Sequence, residues 1–336
     1  MTSIKEIALI SGFSQSTVSR LLNHDATLSV SDATRNKILA TAKKLHYPLP
    51  QTTTKKTYQV AVLFALNPQR EIEDVYYYDL RRSIVQHAKD EYIDVTFINH
   101  LENQDLTKFD GAIAVGYFDD AQLIEINTAF SHILFIDSNP EPEHFSSVQP
   151  NLEYATTKAV NLFIQRQLTN IGIVTGQYWD VNTPSHLIVR LDSRLNYFKN
   201  IMTDAALYND ELLFKARDFT VSSGHEIGTE IANKLKTGLA LDALFISSDS
   251  LAIGVLDALN EISPELAKRL AIISINDSPS AAYTQPSLTT FHIDIDYLVT
   301  LSFNKLYDMI TFHNQSQEIT LVTPTLVYRD TFTKND

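Results

Sequence analysis

From Tyr58 onward the chain alternates short, near-continuous apolar runs with amphipathic stretches, and this alternation limits its fold more than any other feature. The runs are "QVAVLFAL", "DVTFIN", "GAIAVG", "HILFID", "NIGIVTG", "DALFIS" and "LAIISIN". Strands this apolar have both faces covered, which implies parallel sheets flanked by helices. The helical periodicity lies between them, at Asp74 to Glu91, Asn151 to Gln167, Ser222 to Lys236 and Ser250 to Glu261. Seven such units exceed one sheet comfortably, and 336 residues exceed one ordinary core, so the pattern predicts two doubly wound α/β lobes.

The first 57 residues follow a different rule. "SIKEIALI" pairs Ser3 with Glu6 three positions on, a capping-box start, and sets Ile4, Ile7 and Ala8 on one helical face. Gly12 supplies a turn, and Ser14 can cap a second helix whose inner side is Val18, Leu21 and Leu22. "SDATRNKILATAKKLHY" then places Ile38, Ala42 and Leu45 at helical spacing, with Tyr47 and Pro48 ending the run. Three short helices with a glycine turn between the first two make a helix-turn-helix unit. On the second helix Gln15, Ser16, Ser19 and Arg20 face outward, short donors and acceptors suited to base edges and phosphates; a plain solvated face is the alternative. Residues 48–57, "PLPQTTTKKT", read as a linker. The expected division is therefore a head at 1–47, a linker at 48–57 and a body at 58–336.

Charge divides the same way. Residues 1–58 carry eight Lys/Arg against three Asp/Glu, a net +5 within a chain of −13, which leaves −18 on the remainder. A basic end is drawn to a phosphate backbone while an acidic body is kept off it. Zero cysteines remove disulfides, thiolate metal sites and cysteine nucleophiles. No signal-peptide pattern and no bilayer-length apolar run is present, so a cytoplasmic protein without membrane contact is expected. No Gly-rich phosphate loop, Rossmann fingerprint, nucleophile elbow or i,i+4 histidine pair appears, so no catalytic residue, cofactor or metal is expected.

Ligands of open parallel sheets bind beyond the carboxyl ends of the strands. Asn67, Asp137, Ser138, Gly176, Ser248, Asp249, Asn276 and Asp277 occupy those ends, either as a binding crevice or as the residues that loop starts and helix caps prefer. Arg194, in "RLDSRLNYF", either grips vicinal hydroxyls with its planar fork or forms a surface ion pair. Tyr76, Tyr77, Tyr78 and Trp179 are either stacking faces for a carbohydrate or partial core. Asp137 and Asp249 could also serve as a general acid and base in a sugar hydrolase.

"IKEIALISGFSQSTVSRLLN" followed by "VSDATRNKILATAKKLHY" resembles the DNA-binding head of the lactose-repressor/galactose-repressor family. "SRLNYF", "FISSDSLAIG" and "ISINDSPSAAYTQPSLTTF" are similar to the family's effector-contacting helix, its Asp-x-x-Ala-x-Gly turn and its Asp-rich loop leading into Pro-Leu-Thr-Thr. The resemblance spans nearly the whole chain and implies two lobes like a periplasmic sugar-binding protein, 58–158 with 293–321 and 159–292 with 322–336. It implies Gln15 and Ser16 as the principal base readers and Thr17, Ser19, Arg20 and Asn23 in supporting contacts, with Ser3, Ser14, Ser31, Thr34 and Tyr47 completing the DNA-facing set. It implies Tyr77, Asp137, Arg194, Ser248, Asp249 and Asn276 around a small effector. "EDVYYYDLRRSI" and "FIDSNPEPEHFSSV" are similar to a branch associated with galactose and β-galactosides. The chain departs from the family in the linker, where "YPLPQTTTKK" carries no leucine wedge for the minor groove and offers Lys55 and Lys56 instead, and in two extra residues after Asn23. With no heptad tail after "TPTLVYRDTF", a homodimer is expected. The resulting expectation is a sugar-released repressor on double-stranded operator DNA; a co-repressed or activating regulator, or a sugar-binding or sugar-active protein with a vestigial head, are its rivals.

Overall fold

The computed structural model describes residues 3–22, 28, 30–45, 47, 57–65, 75–98, 101, 104–116, 118–178, 192–312 and 316–334. The chain divides into two compact units at Tyr58/Gln59. Asn23, residues 48–56 with Lys55 and Lys56, Asn67 and Trp179 lie outside the described residues.

The first unit holds three helices, α1 (Ile4–Ser11), α2 (Gln15–Leu22) and α3 (Asp32–Lys44). At the start of α1 the Ser3 hydroxyl accepts from the Glu6 amide at 3.3 Å while the Ser3 amide donates to the Glu6 carboxylate at 2.9 Å. Two orphan donors of the first turn are thereby satisfied. Gly12 ends α1 at φ 81°, a left-handed conformation that favours glycine. Ile7, Ala8, Val18, Leu21, Leu22, Ile38 and Ala42 form the buried centre, with Phe13 and Tyr47 packed against it. A core this small is marginal, so each large apolar member, worth about 1.5–3 kcal/mol, matters.

The second unit is built on two six-stranded sheets. The first contains β1 (Gln59–Phe64), β2 (Asp94–Ile98), β3 (Gly111–Val115), β4 (Ile133–Ile136), β5 (Ser146–Pro150) and β11 (Ile319–Val322), in the order β11-β5-β4-β3-β1-β2, all parallel. The second contains β6 (Ile171–Thr175), β7 (Leu213–Lys215), β8 (Ala243–Ile246), β9 (Ala271–Asn276), β10 (Thr289–His292) and β12 (Thr325–Val327), in the order β12-β10-β9-β8-β6-β7. Only the β10–β12 pair is antiparallel. β3, β4, β6 and β8 are buried along their whole length, which is why they read as unbroken apolar runs.

Helices α4 (Val75–Glu91), α5 (Asp120–Ala129) and α11 (Ile295–Phe312) cover the first sheet, and α6 (Leu152–Gln165), α7 (Ser193–Asp204), α8 (Val221–Lys236), α9 (Asp249–Ile262) and α10 (Pro264–Arg269) belong with the second. The chain crosses between lobes three times, after β5, after β10 and after β11. The amide of Asn151 in the first crossover donates to the carbonyl of Val322 beside the third at 2.8 Å, tying the two together. α8 and α9 pack backbone to backbone: a Cβ on Gly254 would lie 2.0 Å from the Val221 carbonyl, and one on Gly224 2.3 Å from that of Leu251.

Candidate functional site

On the head, α2 buries Val18, Leu21 and Leu22 and leaves Gln15, Ser16 and Arg20 exposed, with Thr17 and Ser19 half-exposed beside them. The Ser14 hydroxyl accepts from the Thr17 amide at 3.1 Å and pairs with the Thr17 hydroxyl at 2.7 Å. Ser31 does the same for α3, accepting from the Thr34 amide at 3.3 Å and pairing with its hydroxyl at 3.0 Å. Ser3, Ser14, Ser31 and Thr34 thus fix helix starts, and those starts carry partial positive charge. Tyr47 is half-buried against the head core.

In the body, a cleft between the two sheets is lined by Tyr76, Tyr77, Asp137 and Leu152 with Tyr178, Arg194, Phe219, Ser248, Asn276 and Ile293. Asp137, just past the end of β4, holds φ 75° and receives the Tyr76 hydroxyl at 2.7 Å and the Tyr77 hydroxyl at 3.2 Å. Burial pushes its carboxyl above the usual range, opposed by the Tyr76 hydrogen bond, by the positive charge of Arg194 and by the Tyr77 hydrogen bond. Both tyrosine rings are buried while their hydroxyls reach the cleft, so core packing and site contact coincide in these residues.

Arg194 is buried at the start of α7. Its Nε donates to both oxygens of Asp192, at 2.7 and 3.0 Å, and Asp192 also accepts from the Arg194 amide at 3.0 Å as the helix cap. One terminal nitrogen donates to the Ser247 carbonyl, and the other donates to the Tyr178 hydroxyl at 3.0 Å. The guanidinium lies 5.4 Å from the Phe219 ring centroid, and Tyr178 packs on that ring at 4.7 Å. The surface ion-pair alternative is excluded: the guanidinium is a buried, held cation on the cleft wall.

Ser248 caps α9, accepting from the Leu251 amide at 3.2 Å, and still lines the cleft. Asp249 turns away from the cleft. Its carboxylate receives the Ser274 hydroxyl at 2.5 Å, the Thr290 hydroxyl at 2.7 Å and the Ser278 amide at 2.6 Å. Burial lifts its pKa to about 6 against those hydrogen bonds. With its oxygens committed to structure on the far side of Ser248, Asp249 does not face Asp137 across a substrate space as an acid–base pair needs. It borders a neighbouring hollow of about 290 Å³ that shares Tyr76, Asn276 and Ile293 with the cleft. Asn276, the last residue of β9, and Asp277 just after it hold φ 125° and 55°, a sharp turn of the backbone at the end of the strand.

Sequence reasoning missed Tyr178, Phe219, Leu152 and Ile293 as cleft residues and Asp192 as the carboxylate that holds Arg194. Asp192 had a readable signal, an N-cap residue two positions before Arg194; the others gain their position only from the meeting of distant segments.

A helix-turn-helix unit joined to two doubly wound lobes around a polar cleft defines the class of ligand-controlled DNA-binding regulators. Residues 3–49 match the model of bacterial regulatory proteins of the lacI family, and residues 160–332 match a periplasmic binding protein-like domain. The HTH-type transcriptional regulator GanR of Bacillus subtilis (strain 168) is 35% identical over 331 residues, covering 98% of this chain and 99% of the relative. The regulator LacR of Lactobacillus helveticus is 32% identical over 314 residues, 92% of each chain. The crystal structure of the lac repressor dimer bound to operator and the anti-inducer ONPF superposes with a TM-score of 0.64 at 20% identity, over 99% of both chains, a likeness of fold. The chain belongs to the lacI family of bacterial regulatory proteins and is a transcriptional regulator, not an enzyme. No helix among the described residues is long and apolar enough to cross a membrane.

Proposed function

We propose that the protein is a cytoplasmic, homodimeric repressor of a galactose or β-galactoside utilisation operon, released from its operator when a sugar binds in the cleft. On this reading residues 1–47 read DNA, 48–57 connect, and 58–336 dimerise and hold the effector between lobes of 58–158 with 293–321 and 159–292 with 322–336. Gln15 and Ser16 read bases, Thr17, Ser19, Arg20, Asn23 and Tyr47 support them, and the helix starts capped by Ser3, Ser14, Ser31 and Thr34 meet phosphates.

The observation that carries the effector reading is the opposition of Asp137 on one lobe and Arg194 on the other, among Tyr76, Tyr77, Tyr178 and Phe219. A carboxylate acceptor, a planar cationic donor and aromatic faces suit the vicinal hydroxyls and apolar C–H face of a sugar, and a ligand touching both lobes favours one lobe arrangement. Ser248 and Asn276 add polar contacts from the second lobe, while Asp249 acts by holding the loop that carries Asn276. The sugar class rests on the branch resemblance of residues 73–84 and 135–148 and on the relative named LacR.

The test is thermal unfolding of the full chain against galactose, lactose, other common sugars and sugar phosphates. A ligand at 100 times its dissociation constant adds about 2.7 kcal/mol to the folded state. A galactoside raises the midpoint and weakens operator binding; a shift with another sugar only, or tighter operator binding, overturns the class or the sign. Arg194→Ala retains operator affinity within about twofold and loses the effector response, whereas lost operator binding with normal effector binding removes Arg194 from the site.

A further inference from the structure

We propose, resting on the reading of the cleft as an effector site, that Asp192 sets the charge class of the effector. By neutralising Arg194 inside the cleft wall, it makes the site select an uncharged sugar over the same sugar carrying a phosphate or a carboxylate.

An arginine on a cleft wall is in general a receptor for phosphate or carboxylate, because its planar fork presents five donors and keeps its charge at every pH a protein meets. Here much of the fork is already claimed. Asp192 is 3% exposed and Arg194 6%, and both oxygens of the Asp192 carboxylate accept from the arginine Nε, at 2.7 and 3.0 Å. Solvent and salt screen a pair this deep very little, so the two charges offset each other at close range. One terminal nitrogen is committed to the Ser247 carbonyl. The other donates to the Tyr178 hydroxyl at 3.0 Å, a position that a sugar hydroxyl takes without changing the balance of charge.

Asp137 registers the Asp192 charge from the other wall. Its carboxyl, raised chiefly by burial, is drawn down by Arg194 and pushed up again by Asp192. Among the described residues Asp137 and Arg194 are the charged groups that line the cleft. With the partner of the arginine included, two carboxylates stand against one guanidinium.

The helix starts act in the same direction. α6, α7 and α9 begin at the cleft, which Leu152, Arg194 and Ser248 line. Helix starts hold phosphates through free amides and the positive end of the dipole. Each of these three is capped by a side chain: Asn151 accepts from the Tyr154 amide at 2.9 Å, Asp192 from the Arg194 amide at 3.0 Å and Ser248 from the Leu251 amide at 3.2 Å. Each also carries a carboxylate at the cap or in the first turn, Glu153, Asp192 and Asp249 respectively. A phosphate, with a charge of about −1.5 to −2 at neutral pH, therefore meets a cleft whose positive groups are already offset. Sugar hydroxyls donate to Asp137 and accept from Arg194 while bringing no charge out of water.

The experiment is calorimetric titration of the full chain with matched ligands: galactose against galactose 6-phosphate and galacturonate, lactose against lactose 6-phosphate, and glucose against glucose 6-phosphate. In the wild type the uncharged member of the set that binds is preferred by at least about tenfold. Asp192→Asn keeps a capping side chain and an acceptor for Nε but removes the charge, and it reduces that preference by at least about tenfold. Asp192→Ser, a smaller capping residue, does the same. A merely structural role for Asp192 weakens charged and uncharged ligands alike, and a ratio unchanged in both variants overturns the proposal. A wild type that prefers the phosphate or carboxylate form also overturns it, while leaving the cleft an effector site. Binding of none of these compounds removes the sugar reading of the cleft, and the role of Asp192 falls with it.

Discussion

Asp249 combines a helix start with a buried carboxylate, and its environment predicts a pH dependence. The folded chain holds its pKa at about 6, above the ordinary 3.8, so the folded state binds this proton more tightly than the unfolded state does. Its contribution to stability is therefore greatest below pH 3.8, declines as pH rises towards 6, and above that leaves a cost of about 3 kcal/mol. Comparing urea unfolding of the wild type with Asp249→Asn isolates this effect. The stability difference moves in the variant's favour by about 2.4 kcal/mol between pH 4 and pH 7; a difference constant with pH contradicts the assignment. The residue's identity as an N-terminal acid of α9 was readable, since Ser248 and Asp249 stand where caps and first-turn acids belong. Its orientation was not, because Ser274, Ser278 and Thr290, which claim its oxygens, arrive from β9, the following loop and β10.

At the scale of elements, the α8–α9 contact shows what a motif glycine does. In "SSDSLAIG" the final residue is Gly254, and any side chain there meets backbone atoms of Val221, His225 and Gly224 rather than a movable side-chain tip. Gly254→Ala therefore forces the helices apart and costs at least about 1–3 kcal/mol, read as a lower urea midpoint at unchanged m-value. Gly238, which is left-handed but surrounded by open space, is the control position where crowding is absent. The long helices were legible from 3.6-residue periodicity to within a residue or two at Val75–Glu91, Leu152–Gln165 and Asp249–Ile262. α11 was missed although it is 18 residues long, because it begins three residues after the short strand β10, at a crossover with no glycine or proline to announce its start. The short strands β10 and β12 were missed for another reason: three or four residues carry no usable period, and neighbouring strands define them.

For the whole molecule, the proposed function is a coupling between a DNA-reading head and an effector-binding body. If effector and operator favour different lobe arrangements, each weakens the other by the same free energy, about 1–3 kcal/mol, or roughly 5- to 150-fold. On the DNA side, Gln15→Ala costs about 1–3 kcal/mol of operator affinity and relaxes the base preference at one position, while effector binding in the body is unchanged. Operator affinity falls steeply with added salt, as displaced counterions require, and a salt-independent affinity contradicts phosphate contact by the basic end. The sequence by itself determined the kinds of element, their buried faces, the helix caps and the division of charge between head and body, because these follow from local periodicity and residue chemistry. Only the tertiary structure decided that Asp137 and Arg194 meet, that Asp192 and Tyr178 hold that arginine, and that Asp249 turns inward while Asn276 lines the cleft. Those outcomes depend on three crossovers and two sheet orders that join residues far apart in the chain, and pairings of that range leave no periodic trace in the sequence.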